Sequence, residues 1–280
     1  MQTTFRLFIL CLFCLAVPLA SGYGSEGEAT VPANPAEQER KEGEAGYRMT
    51  LTIKDVEYAF RWCPPGTFMM GSPENEERRG SIEMQHQVTL TQGFWMLETQ
   101  VTQAMWEGVR GNNPSFFKGA KLPVERVSWN ACQEFIRRLN DLDIAPAGFK
   151  FSLPTEAQWE YACRAGTTTA FHFGDTLTHE QANFVDSRNR QTTEVGSYPA
   201  NAWGLHDMHG NVLEWCQDWL GAYPSGAVTD PTGATGLRRV VRGGGWNVLA
   251  AGCRSDRRSG YAPWELGNLV GFRLALVRAE

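Results

Sequence analysis

The sequence predicts an α+β protein in which regular secondary structure is sparse. Three short helical patterns all lie before Gly166, and no further helical pattern follows that residue. The 280 residues include 29 glycines and 10 tryptophans, a composition that favours turns and short strands around aromatic side chains over a bundle of helices. Hydrophobic residues make up 42% and charged residues 20%, which indicates a globular chain and excludes a largely disordered one.

The first predicted elements are short strands. Apolar residues alternate over residues 49–60 and predict one strand. Residues 68–72 are typical of a strand that runs into a polar loop, and residues 87–90 and 93–97 are strand-like again. These segments supply the β part of the α+β class.

Three short helices are predicted next, over residues 102–109, 128–139 and 155–164. Each begins at a threonine or serine, whose side-chain oxygen can accept a hydrogen bond from the first turn of the helix. In the second helix, apolar residues recur at helical spacing on one face. In the third, a glutamine stands three residues after the threonine, which is the spacing of a capping box.

The first 22 residues predict a secretory signal peptide. Arg6 precedes an apolar run over residues 7–20, and small residues follow it. The run is too short to span a bilayer comfortably, although a buried N-terminal helix and a lipoprotein signal stay open as alternatives. Residues 23–46 are rich in Gly, Ala, Glu, Pro and Ser and predict a flexible linker. We therefore expect a folded domain over residues 47–280, exported to the periplasm, the cell surface or the medium.

The charge of the chain argues against a nucleic-acid partner. The formal net charge is −5 at pH 7, whereas a nucleic-acid-binding protein normally presents a basic surface. After the signal peptide, no apolar run approaches the length of a membrane span. We therefore expect neither nucleic-acid binding nor a transmembrane segment in the mature chain.

Eight blocks of sequence, taken in order, resemble one known family. The blocks lie at residues 68–72, 98–106, 123–129, 153–162, 204–215 (GLHDMHGNVLEW), 242–246, 253–255 and 271–274. Each block alone is weak, but the ordered set resembles the formylglycine-generating-enzyme (sulfatase-modifying factor) family over residues 61–276. The resemblance implies one domain with the C-type-lectin-like fold of the formylglycine-generating-enzyme type, which is low in regular secondary structure.

A calcium site is one interpretation of the longest block. Asp207 and Glu214 stand seven residues apart across a glycine turn, and Ca²⁺ prefers carboxylate and carbonyl oxygens. In family members that bind calcium here, the ligands are side chains matching Asp207 and Glu214 and carbonyls matching Gly210 and Val212. The alternative is that both carboxylates satisfy backbone N–H groups of the turn and a neighbouring arginine. Both interpretations remain open.

The resemblance also bears on catalysis. The family's enzymes oxidise a substrate cysteine to formylglycine with O₂, and they hold Cu(I) between two cysteines, because soft thiolates are the ligands that this ion prefers. At the first of these positions the chain has Val248, which cannot bind a metal. Cys253 matches better the family's structural cysteine, whose partner corresponds to Cys163. The resemblance therefore implies a Cys163–Cys253 disulfide and no copper, and it leaves the chain without an evident enzymatic activity.

The final segment, residues 246–270, instead predicts a binding surface. Apolar and aromatic residues stand there between fixed blocks, and such residues on a rigid scaffold mark interaction sites. The segment resembles the variable region of diversity-generating-retroelement proteins. The predicted contact residues are Trp246, Asn247, Val248, Leu249, Asp256, Arg257, Tyr261, Trp264, Glu265 and Leu269.

Three functions stay open at this point. The first is an exported, monomeric, non-catalytic protein that binds a protein or a glycan through the variable segment. The second is a generic paralogue of the sulfatase-modifying factors, without diversification of that segment. The third is a formylglycine-generating oxidase that acts on a sulfatase cysteine.

Overall fold

The computed structural model describes Lys41 and residues 43–187 and 189–279. The predicted signal peptide and most of the predicted linker lie outside these residues. The described residues belong to one compact unit, Glu39–Glu280. Within them, the helices are too short or too polar to cross a bilayer.

The described chain contains twelve β-strands and three α-helices. The helices are α1 (Gln103–Arg110), α2 (Trp129–Asn140) and α3 (Glu156–Arg164). The strands are β1 (Arg48–Ile53), β2 (Val56–Cys63), β3 (Gly66–Met70), β4 (His86–Leu90), β5 (Phe94–Leu97), β6 (Phe149–Ser152), β7 (Leu213–Trp219), β8 (Val228–Thr229), β9 (Arg239–Arg242), β10 (Ser259–Tyr261), β11 (Val270–Phe272) and β12 (Ala275–Arg278).

The strands form three sheets. The largest has the order β1-β2-β5-β12-β6 and is antiparallel throughout, so the C-terminal strand lies between strands from the first half of the chain. The second has the order β10-β9-β7-β11, with β11 parallel to β7. The third joins β3, β4 and β8. The second sheet ties the predicted binding segment to the domain, because β10 lies within the segment and β11 begins at its last residue.

The three helices confirm the sequence prediction, including their N-terminal caps. Thr102, Ser128 and Thr155 each accept a hydrogen bond from the backbone N–H three residues on. Thr155 and Gln158 form the expected capping box. Such caps satisfy backbone donors that have no partner within the helix. Beyond Gly166 the described chain has no α-helix, as predicted, and has only single turns of 3-10 helix.

The single strand predicted over residues 49–60 is wrong. This stretch is a hairpin in which β1 and β2 pair across the turn Lys54–Asp55. Both turn residues have positive φ, 53° and 62°, as in the two-residue turns that match the twist of paired strands. The sequence gives little warning, because Lys-Asp lacks the glycine that usually marks such a turn.

Two large clusters of buried side chains hold the sheets and helices together. In the first, the Trp106 ring stacks on Phe135 of α2 with centroids 5.2 Å apart, and Trp215 is fully buried, with its Nε1–H donated to the Val127 carbonyl at 2.9 Å. In the second, Trp159 is likewise fully buried. Large rings fill the irregular space between short elements, and this packing fixes the framework behind the C-terminal segment.

Candidate functional site

The predicted binding segment, residues 246–270, presents large apolar side chains to solvent. Trp264 is 70% exposed, Leu266 62% and Leu249 60%. These are unusual exposures for such residues, since burying side chains of this size stabilises a fold by about 1.5–3 kcal/mol each. These three side chains therefore lie at the surface, and exposed apolar residues of this size are characteristic of an interaction site when they form one patch.

Four of the predicted contact residues line one small cavity of about 170 Å³. They are Val248, Arg257, Tyr261 and Leu269. The rest of the wall comes from residues that the sequence did not single out as contacts: Leu213, Val241, Gly252 and Ser259. The fold thus brings together side chains from β7, β9, β10 and the loops around them.

Trp246, Asn247 and Glu265, which were also predicted contacts, do not line this cavity and lie in different settings. Trp246 is half-buried and donates its Nε1–H to the Asn268 carbonyl at 3.0 Å, with its ring edge-on to Phe117 at 5.5 Å. Asn247 is exposed. Glu265 is exposed, and its carboxylate accepts the Ala262 N–H at 2.9 Å.

Asp256 is a correction to the predicted contact set, because it is fully buried. Its Oδ1 lies 2.5 Å from Nη1 of Arg254, and its Oδ2 lies 3.6 Å from Nη2 of Arg164. Burial, followed by the nearby charge of Glu160, raises the pKa of Asp256. The carboxyl group therefore belongs to an internal network of charges and cannot reach a ligand at the surface.

The same network anchors the neighbouring residues. Arg254 Nη2 lies 2.9 Å from Glu83 Oε2, and Arg258 pairs with both carboxylate oxygens of Glu156, at 2.8 and 2.5 Å. Both arginines are about 3% exposed. Removing one partner of such a buried pair costs about 3–5 kcal/mol. Residues 254, 256 and 258 consequently hold the segment to the body of the domain, while residues 257, 259 and 261 line the cavity.

A second, larger cavity of about 680 Å³ borders the segment on its other side. Ala250 and Ala251 form one edge, and Arg254 lies at its base. Its remaining walls carry threonines and acidic residues from two distant loops, at 73–78 and 168–177. Sequence analysis missed this cavity, because nothing in the spacing of these loops indicates that they meet.

The thiols of the segment do not form the predicted bridge. Cys163 and Cys253 are buried and free, as are the other cysteines of the described domain. The sulfur of Cys163 lies 3.7 Å from Ser255 Oγ and 3.9 Å from His209 Nε2, while the backbone N–H of Gly245 bonds to Cys253. Burial raises the pKa of both thiols to about 12, so neither is a thiolate at neutral pH.

The position at which the family's enzymes have their first copper-binding cysteine offers no metal ligand here. Val248 lines the small cavity with an aliphatic side chain. Cys253, within the segment, is fully buried. A pair of thiolates that could hold Cu(I) is thus absent from this part of the described chain.

The oxygens expected to bind calcium converge on the side-chain amide of Gln100. Its Nε2 lies 3.3 Å from the Gly210 carbonyl, 3.0 Å from that of Val212 and 3.0 Å from Glu214 Oε1. It also lies 3.3 Å from the backbone carbonyl of Asp207. The amide has two hydrogens for four acceptors. In this arrangement the Gln100 amide contacts oxygens that the calcium prediction assigned to an ion, so the calcium site stays a prediction that competes with a calcium-free turn.

The two carboxylates of this turn have different surroundings. Glu214 is fully buried and accepts hydrogen bonds from Trp159 Nε1 at 2.7 Å and from Arg273 at 2.9 and 3.0 Å. This is the alternative that the sequence left open, a carboxylate paired with a neighbouring arginine. Asp207 accepts the Gly196 N–H through Oδ2 at 2.7 Å, while its buried Oδ1 has no partner among the described residues.

The fold defines an α+β protein of the C-type-lectin-like class, with a loop-built surface near its C-terminal end. Residues 56–278 match the Sulfatase-modifying factor enzyme 1-like domain. The chain belongs to that family, the formylglycine-generating-enzyme family of sulfatase-modifying factors.

Relatives from several organisms support this assignment. The chain is 32% identical over 233 residues to the formylglycine-generating enzyme of Streptomyces coelicolor, a match that covers 73% of this chain and 71% of that protein. It is 38% identical over 164 residues to the serine/threonine-protein kinase pkn1 of Chlamydia caviae, covering 56% of this chain. It spans only about a quarter of that kinase, 24% of its length.

Solved structures show the same fold. The Treponema denticola variable protein 1 superimposes with a TM-score of 0.74 at 28% identity, covering 82% of this chain and 98% of that one. PvdO from Pseudomonas aeruginosa superimposes with a TM-score of 0.72 at 27% identity, covering 83% and 98%.

Proposed function

We propose that this chain is an exported, non-catalytic protein that binds a protein or a glycan, as a monomer, through the face formed by residues 246–270. The observation that carries the proposal is that one segment both exposes Trp264, Leu266 and Leu249 and supplies six of the eight residues that line a small cavity. Rigid aromatic and aliphatic anchors beside a pocket are typical of binding hot spots.

The surroundings of the segment support binding over oxidation. Val248 lines the cavity where a copper-binding cysteine would be needed, and Cys253 is a buried thiol with a raised pKa. The similarity to the Treponema denticola variable protein 1 supports the further proposal that the segment is a variable binding region. Buried anchors at residues 254, 256 and 258 would keep such a region in place while exposed positions differ.

Two assays separate the binder from the oxidase. In the first, the purified domain is incubated with Cu(I), O₂ and a sulfatase-motif peptide, and the peptide is examined for an aldehyde. We expect none, and rapid aldehyde formation would establish the oxidase instead. In the second, the domain is screened against a displayed peptide library and an immobilised glycan array.

Variants then locate the binding face. Trp264→Ala and Tyr261→Ala should each weaken a selected interaction at least about tenfold, since truncation of a hot-spot residue costs roughly 2 kcal/mol or more. Leu237→Ala is the matched control, because Leu237 is 89% exposed but lies outside the segment. Unchanged binding by both aromatic variants would refute the proposed face.

The origin of the segment has a separate test. A reverse-transcriptase gene beside this gene, with a near-repeat of the sequence that encodes residues 246–270, would support diversification. If both are missing, the chain is better described as a generic paralogue. The proposal that it binds through the same face does not depend on this test.

A further inference from the structure

Strand β10 and the two residues before it supply the polar part of the cavity wall. Arg257, Ser259 and Tyr261 stand at alternate positions, and alternate residues of an extended chain point to the same side. All three line the cavity. The other lining side chains are aliphatic: Leu213, Val241, Val248 and Leu269. Val241 is the cross-strand partner of Ser259, so polar and aliphatic groups adjoin on one face of the sheet.

The polar groups on this wall have unused hydrogen-bonding capacity. The side chain of Arg257 makes a single hydrogen bond among the described residues, from Nη1 to Glu83 Oε1 at 3.2 Å. The hydroxyls of Ser259 and Tyr261 have no partner in the described part of the chain. Arg257 is 42% exposed and the other two are half-buried, so all three donors can reach a ligand.

The charge available to a ligand here is positive. Arg257 is the one charged side chain among the residues that line the cavity. Its partner Glu83 is fully buried and is also bound by Arg254 Nη2 at 2.9 Å and by the Gly80 N–H at 2.8 Å. Asp256, the nearest other acid along the chain, points to the opposite side and pairs with Arg254.

We propose that this cavity binds an apolar group that carries a carboxylate, with the carboxylate on Arg257, Ser259 and Tyr261. The proposal rests on the binding function above and names the chemistry of its ligand. The guanidinium fork matches the geometry of a carboxylate and forms strong, charge-assisted hydrogen bonds. A cavity of about 150 Å³ accommodates benzene, so the 170 Å³ available here suits one isobutyl or phenyl group.

Two sources could supply this chemistry: a free branched-chain or aromatic acid, and the C-terminal residue of a peptide. The probes are therefore 4-methylpentanoate with its neutral amide, and the peptide N-acetyl-Gly-Gly-Leu with a free or an amidated C-terminus. Binding to the full chain is followed by calorimetry and by the NMR shifts of the cavity methyl groups of Leu213, Val248 and Leu269. The better-bound acid identifies the source.

We expect each acid to bind at least about tenfold more tightly than its amide, since a hydrogen bond to a charged group is worth about 1.5–3 kcal/mol. Arg257→Gln should remove most of this preference, by weakening the acid far more than the amide. Ser259→Ala and Tyr261→Phe each delete one hydroxyl with little change of shape, and each should weaken the acid more than the amide. The control is Arg238→Gln, a change at an exposed arginine outside the cavity.

Equal affinity for acid and amide would overturn the proposal, as would acid binding that Arg257→Gln does not weaken, or the absence of methyl shifts at millimolar acid. Each of these results leaves the proposed function intact if Trp264→Ala still weakens the binding of a selected peptide or glycan. If Trp264→Ala has no such effect while the acids still bind in the cavity, the proposed binding face is overturned instead.

Discussion

Nδ1 of His209 lies 2.7 Å from the carbonyl oxygen of Cys253, and it joins the turn at residues 207–214 to the binding segment. The other ring nitrogen, Nε2, accepts the backbone N–H of His172 at 3.1 Å. Both bonds are made only by the neutral ring with its hydrogen on Nδ1. Burial lowers the pKa of His209 to about 4, so the ring stays neutral in the native protein at ordinary pH.

This arrangement predicts that His209 destabilises the fold in acid. The native pKa of about 4 lies below the unfolded value of about 6.5, so the unfolded chain binds the extra proton between these values. The ring's contribution to stability is therefore full above pH 6.5 and is lost as the pH falls towards 4, by about 1.4 kcal/mol per unit. Urea unfolding of the wild type and His209→Gln across this range should show their difference shrinking, and a constant difference would contradict the assignment.

Asp218 should act in the opposite direction. Its oxygens accept the Glu156 N–H at 2.7 Å and the Gly233 N–H at 2.6 Å, and burial, followed by the charge of Glu156, raises its pKa to about 6. The native state then holds the proton more tightly than the unfolded chain. The stability from this group is full below about pH 4 and is lost as the pH rises through 6.

The measurement for Asp218 is the stability of the wild type relative to Asp218→Asn. We expect the wild type to have its largest advantage near pH 4 and a smaller one at pH 7. An advantage that grows with pH would mean that the carboxylate is the favoured native form.

The position of Gln100 predicts that the wild type is indifferent to calcium. Its melting temperature should be the same in EDTA and in millimolar calcium, because the Gln100 amide already lies among the oxygens of Gly210, Val212 and Glu214. Gln100→Ala should lose about 1–3 kcal/mol in EDTA through unsatisfied buried acceptors, and calcium should restore part of that loss. A calcium-dependent rise in the wild type would show that the family's ion binds here after all.

The thiols predict a simple labelling pattern. In the folded protein, Cys163 and Cys253 should resist alkylation, because both are buried and burial raises their pKa to about 12. After unfolding without reductant, peptide mapping should find both alkylated. Recovery of the two residues in one linked peptide would establish the disulfide that the family resemblance implied.

The sequence predicts those parts of the fold that depend on neighbours along the chain. Thr102, Ser128 and Thr155 mark the starts of the helices because a cap needs only a residue and the turn that follows it. The β1–β2 hairpin is missed because Lys54–Asp55 adopts positive φ without a glycine.

The candidate site depends more on long-range packing. Exposure of Trp264 follows from the sequence, but the cavity does not, since Leu213 and Val241 reach it from other strands. Burial of Asp256 could have been inferred from Arg254, which stands two residues away and pairs with it. The role of Gln100 could not, because its partners lie more than a hundred residues further along the chain.

The buried charges at residues 254, 256 and 258 have a practical consequence for engineering. Because Arg254, Asp256 and Arg258 secure the backbone, a combinatorial library at 259 and 261 would alter the contact chemistry without touching these supports, whereas position 257 reaches them through Glu83. Extending the library to Leu249, Trp264 and Leu266 would change the outer rim as well. Substitutions at a few positions could thereby redirect the domain to new ligands.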